Sequence, residues 1–216
     1  MVYKKVYDLS VTIRSFMPLW PTNPNLRIEP VGTVPRDGYL VESINGVTHS
    51  GTHIDAPSHM LENGDSVDKL PLENLVSEGF MIKISPKGKE INEGHLRERW
   101  RDDYNGKAIL LNTGWYKKRG FTREFQYDFP GLSEDAAEFL IKRGVKLVGI
   151  DSLGIEPFDH SDFKVHKKIL GAGIIIIEDL YGLDQLQEGK KYLITAAPLK
   201  IENGSGAPAR VFAIEF

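Results

Sequence analysis

The chain has 216 residues, 41% hydrophobic and 26% charged, with a formal net charge of -3 and no cysteine. That length suffices for one large domain with a sizeable core. The composition excludes disulfides and thiolate ligands, gives no footing for nucleic acid or an anionic membrane, and holds no apolar run of spanning length.

Residues 3–13 alternate as a first strand and lack the apolar block of a signal peptide, so the expected compartment is the cytoplasm. Residues 16–24 carry three prolines around Trp20 and form a stiff loop. That loop reads equally as an arm against a neighbouring surface or as the aromatic wall of a substrate pocket. Residues 26–34 and 38–48 are extended, with Asp37 and Gly38 as the turn between them.

Next comes His49-Ser-Gly-Thr-His53-Ile-Asp55-Ala-Pro-Ser-His59, which holds half of the six histidines and a carboxylate within eleven residues. On a helix His49 and His53 would share a face, but Gly51 weakens that arrangement and Pro57 breaks it. A turn at Ser50-Gly51 leading into an extended segment fits better. Residues 53, 55, 57 and 59 then point to one side, so His53, Asp55 and His59 converge and His49 joins from across the turn. Imidazole with carboxylate suits zinc, manganese, iron or nickel better than calcium or magnesium.

Downstream, residues 62–65 form a turn and Phe80 to Ile84 a short strand. Asn92 to Trp100 is a helix capped by Asn92, with His95 as a solvated helix residue. Ala108 to Asn112 is an apolar strand, and residues 116–131 form a long loop or lid. Ser133 opens a helix with Ala137, Leu140 and Ile141 on its apolar stripe; Gly144 ends it. A strand from Val145 to Ile150 then ends in Asp151. A second cycle follows: a short helix from His166 to Leu170, then Ile174 to Ile177 running into Glu178. Four consecutive isoleucines suit a parallel strand buried on both faces, and ligand sites gather at the carboxyl ends of such strands. Asp151 and Glu178 are therefore candidates by position. Residues 192–216 read as two strands joined by a turn at 202–206. The fold class is α/β, a single domain over residues 1–216 with a central mixed sheet.

The segment from His49 to His59 closely resembles the HxGTHxDxPxH signature of the metal-dependent cyclase-like hydrolases, whose members include bacterial kynurenine formamidases and isatin hydrolases. Trp20-Pro21, the segment Asp68 to Leu72, Leu110 to Trp115, and Gly149 to Ser152 resemble further parts of that family. The resemblance implies that His49, His53 and Asp55 bind one metal, and that Asp55 and Glu178 bridge to a second held also by His166. It further implies His59 as the acid–base residue, Trp20 on the substrate pocket, a swivelling-type β/α fold and a homodimer or homotetramer. His166 is favoured over His160 as the second-site ligand by its spacing to Glu178, and Asp151 is read as a partner behind a ligand imidazole rather than a strand-end group bonded to backbone.

The implied cofactor is one or two divalent ions per subunit, zinc first and manganese as the alternative, with no organic cofactor. Such an ion lowers the pKa of bound water towards roughly 7. The implied reaction is hydrolysis of a small amide, with N-formyl-L-kynurenine in first place and isatin or another cyclic amide or ester in second. A non-catalytic metal-binding protein is the rival from a different class, marked by a closed shell that includes His59.

Overall fold

The computed structural model describes residues 2–216. Its strands are β1 Lys5–Asp8, β2 Arg27–Gly32, β3 Val41–Asn45, β4 His53–Asp55, β5 Val76–Lys83 and β6 Glu90–Ile91. They continue with β7 Ala108–Asn112, β8 Gly131–Leu132, β9 Leu147–Ile150, β10 Ile175–Glu178, β11 Tyr192–Pro198 and β12 Gly206–Glu215. The helices are short: α1 Val34–Asp37, α2 Leu72–Leu75, α3 Glu93–Arg97, α4 Arg123–Tyr127, α5 Glu134–Lys142 and α6 Lys164–Gly171. None of the described helices is long and apolar enough to cross a membrane.

One mixed sheet dominates, in the order β1-β12-β11-β5-β7-β9-β10-β4. It closes because β4 also pairs with β12, Asp55 opposite Gly206 and His53 opposite Pro208. Seven strands therefore form a barrel-like ring, while β1 lies beside β12 outside it. β5, β7, β9 and β10 run parallel, and the remaining contacts are antiparallel. The mixed α/β expectation holds, and closure of the sheet is the feature the sequence did not announce.

Strand alternation separates two cores. Met81, Leu110, Ile175, Ile177, Ile194 and Val211 fill the ring with the other inward residues. Ile109, Leu111, Val148, Ile150, Ile174 and Ile176 face outward and pack under α3, α5 and α6. The isoleucine run is thus divided two and two between faces, as a strand covered on both sides requires.

Several boundaries move. The first strand is shorter than residues 3–13, leaving only an isolated bridge from Ser10 to Leu180 beyond it. The second strand pair is joined by α1 and a left-handed Gly38 (φ 80°) instead of a two-residue turn. Residues 116–131 are not a loose lid: a short turn at Trp115–Lys118 and α4 are pinned by buried Phe125 and Phe129. His95 does more than face solvent, since its Nδ1 accepts from the Asn92 N–H at 3.1 Å while Asn92 Oδ1 caps the helix.

Candidate metal centre

The cross-strand register creates the site. β4 pairs with β10 so that His53 stands opposite Glu178 and Asp55 opposite Ile176. Ile54 points into the ring, so His53, Asp55 and Glu178 share the outer face, beneath the N-terminal end of α6. His49 arrives from a turn in which Gly51 takes φ +65°. Its ring lies against Gly206, where a Cβ would stand 2.6 Å from His49 Cε1, so only glycine permits that approach. His59 arrives differently from the strand phase expected, because β4 ends at Asp55 and a 3-10 turn over Pro57–His59 returns the ring to the cluster. α6 supplies His166.

Distances within the cluster are short. Asp55 Oδ1 lies 2.8 Å from His49 Nδ1 and 3.3 Å from His53 Nε2, and Glu178 Oε2 lies 3.4 Å from the same His53 Nε2. His166 Nε2 is 3.1 Å from Glu178 Oε1 and 3.8 Å from Asp55 Oδ2. His53 Nδ1 bonds the Gly51 carbonyl at 2.8 Å, which leaves Nε2 directed at the two carboxylates. Ser205, on the turn before β12, stands 3.0 Å from His49 Nε2.

Two three-residue groups emerge with ligand atoms close enough for one ion each, His49–Asp55–His59 and His53–Asp55–Glu178. Asp55 belongs to both. Donor atoms on a tetrahedron with bonds of about 2.1 Å stand roughly 3.4 Å apart, the spacing seen around His53. Asp55 Oδ2, buried and without a hydrogen-bond partner, is the kind of orphaned acceptor that a cation satisfies. On both grounds the donor set fits a divalent metal.

Electrostatics agree. Burial opposes the ionised forms, yet His49 and His53 hold Asp55 well below the usual carboxylate range. Burial and neighbouring Asp55 push Glu178 up, but His166 and His53 outweigh them and lower it. Burial works against charge on His53, but bonds to Asp55 and Glu178 raise it well above the imidazole norm. His166, opposed by burial, is raised to about 10 by Glu156 and Glu178. Two ionised carboxylates with oxygens within 4.8 Å of one another thus demand positive charge, from protons or from a metal. His59 is the exception: burial, with His49 and His166 pushing the same way, lowers it despite Asp55 and Glu178.

The other expected residues are placed as follows. Trp20 borders a cavity of about 510 Å³ whose floor includes His49, His53, His59, His166 and Glu178. Its ring packs against Phe158 at 5.0 Å and Phe129 at 5.8 Å, so the loop is a wall and not a free arm. His160 lies away from the cluster, beside Glu90 and Glu156. Asp151 is a correction: its carboxylate accepts from Thr113 and Gly114 N–H and from Thr113 Oγ, and it touches no imidazole. Burial pushes it up to about 6 against those bonds.

Four participants were not foreseen: Ser205, Glu156, Asp179 and Arg119. Asp179 follows Glu178 in the left-handed region at φ 58°, its carbonyl accepting from Thr52 Oγ at 2.6 Å. Arg119 pairs with Asp179 and donates to the Pro18 carbonyl at 3.1 Å, tying the Trp20 loop to the end of β10. Asp179 adjoins Glu178, which its strand-end position already marks, whereas Ser205, Glu156 and Arg119 reach the site from loops that leave no local pattern.

The family described as "Putative cyclase" matches residues 7–157. The chain belongs to this cyclase family. Among its relatives, a kynurenine formamidase of Maricaulis maris is 30% identical over 207 residues, covering 95% of this chain and 96% of the relative. A solved structure described as a potential metal-dependent hydrolase with cyclase activity is 32% identical, with TM-score 0.83 and 98% of each chain covered. Isatin hydrolase A from Labrenzia aggregata is 27% identical with TM-score 0.86, covering 98% of this cyclase-family chain and 93% of its own.

The raised His166 predicts a pH dependence of the metal-free protein. Its folded pKa of about 10 lies above the ordinary value of 6.5, so its contribution is complete below pH 6.5 and lost as pH rises through 10. The melting temperature of chelator-treated protein should therefore fall across that window, and zinc should offset the loss at its alkaline end. A flat profile would contradict the charged-imidazole arrangement.

Proposed function

We infer that this chain is a metal-dependent hydrolase of amide C–N bonds, and we propose N-formyl-L-kynurenine as its substrate, cleaved to L-kynurenine and formate in tryptophan catabolism. The observation that carries the reading is the shared Asp55 between two donor groups on the floor of an aromatic-walled cavity. Following the family resemblance, His49, His53 and Asp55 would hold one ion, and His166 and Glu178, with Asp55, a second, although the two close donor groups set His53 with Glu178 and His59 with His49. Zinc is the first choice and manganese the alternative. An ion bound there supplies Lewis acidity towards the water nucleophile and the amide carbonyl. The kynurenine formamidase relatives support the substrate.

The chain's own groups do the rest. Trp20 and Phe163 border the cavity and offer flat apolar surface to an aryl ring. His59, held below the ordinary imidazole pKa, is neutral at pH 7 and can take a proton from water and return it to the leaving nitrogen. Its ring lies 4.1 Å from that of His49 with only a 30° tilt. His59 also stands close enough to His49 and Asp55 to share an ion with them, so the base role rests on its lowered pKa and its place on the cavity floor.

One observation favours a second reading. No lysine or arginine lines the cavity among the described residues, so the α-carboxylate of N-formyl-L-kynurenine has no cationic partner on this wall. An uncharged cyclic amide such as isatin needs none, and isatin hydrolases are among the structural neighbours.

A homodimer or homotetramer belongs to the proposal. The β2–β3 hairpin projects with Val31, Val41 and Ile44 bare, Ile44 at 70% exposure, and two-stranded ribbons are marginal in water without a covering surface. Light scattering should give a dimer or tetramer mass; a monomer at micromolar concentration would count against it.

The deciding assay offers N-formyl-L-kynurenine and isatin separately to metal-free protein and to protein with zinc or manganese added. Metal-dependent turnover of the first supports the proposed substrate, and turnover of isatin alone supports the second reading. His59→Ala should keep the metal and lose about 10²–10⁴-fold in rate. Loss of metal in that variant, with no turnover by either form, would favour a non-catalytic metal site.

A further inference from the structure

Glu156 is a carboxylate with only 1% exposure, and the chemistry above does not use it. Its Oε1 lies 2.5 Å from His166 Nδ1 and accepts from the His166 backbone N–H at 3.0 Å. Its Oε2 accepts from the Val165 N–H at 3.3 Å and lies 3.5 Å from His160 Nδ1. Those two backbone donors belong to the first turn of α6, where free N–H groups need acceptors. Phe163 at the cap position has φ 51° and caps nothing with its side chain. Glu156 caps the helix from the preceding loop, and its charge suits the positive helix end.

One oxygen therefore fixes both the backbone and the ring of His166. The Nδ1 hydrogen is donated to the Glu156 oxygen, so Nε2, which gives up its own hydrogen when a metal binds, is turned towards Glu178 and Asp55. Glu156 is held in turn by close backbone packing. The Leu132 N–H bonds the Ile155 carbonyl at 2.7 Å, and a Cβ at Gly131 would stand 2.5 Å from the Glu156 Cα.

We propose that Glu156 is the positioning residue of the His166 half of the centre, capping α6 and setting the imidazole so that Nε2 is presented as a metal ligand. The proposal rests on the metal reading above. His160 closes the outer side of Glu156 without being a ligand, its Nε2 3.1 Å from Glu90.

Zinc titration against a competing chelator tests this with wild type, Glu156→Gln, His160→Ala and His166→Ala. Glu156→Gln should weaken, by about 10–100-fold, the binding step that His166→Ala removes, while His160→Ala changes it by less than about threefold. Wild-type affinity in Glu156→Gln, with a step lost in His166→Ala, overturns the positioning role alone. A wild type that takes up no zinc overturns the metal reading and this inference together. Should Glu156→Gln fail to fold, ¹⁵N-histidine spectra of zinc-loaded wild type decide: the His166 proton is expected on Nδ1, and a proton on Nε2 contradicts the proposal.

Discussion

Two carboxylates, Asp55 and Glu178, are held together on one face of adjoining strands with almost no access to water. Buried like charges repel strongly unless counter-charge is supplied at close range. Four imidazoles surround the pair, and two of them, His53 and His166, rise above their ordinary pKa to supply that charge. This is an expensive arrangement for a protein to maintain as structure alone. It becomes economical once a divalent cation replaces the protons, because metal binding and proton release are linked.

The rest of the fold serves that pairing. β4 contributes only three ring residues, yet it is held on both edges, by β10 and by β12. Closure sends Ile54 inward and turns His53 and Asp55 out, under α6. The aromatic side of the cavity is built separately, from Trp20 and the phenylalanines of residues 125–163. Arg119 spans the two constructions, so the wall and the floor cannot shift independently.

What could be read in the sequence follows a physical rule. His49 to His59 was legible because its donors are close along the chain, and β7, β9 and β10 because apolar runs bounded by turns declare buried strands. His166 and Glu178 were legible as a pair through their spacing and the strand-end position of Glu178. Asp151 sits at an equivalent strand end but binds its own neighbouring backbone, which position alone cannot distinguish. His59 reached the site by a 3-10 turn although strand phase gave the same partners. Ser205 and Arg119 were illegible, since each acts on a residue far away in sequence, and Glu156, only ten residues before His166, was illegible because a single loop carboxylate carries no pattern of its own.

The most direct test is a crystal of zinc-soaked protein with anomalous scattering recorded at the zinc edge. The account predicts density beside Asp55 with both His53 and Glu178 in reach, and a shared Asp55 if two ions bind. Full zinc occupancy at a position that leaves Asp55 uncoordinated would contradict it.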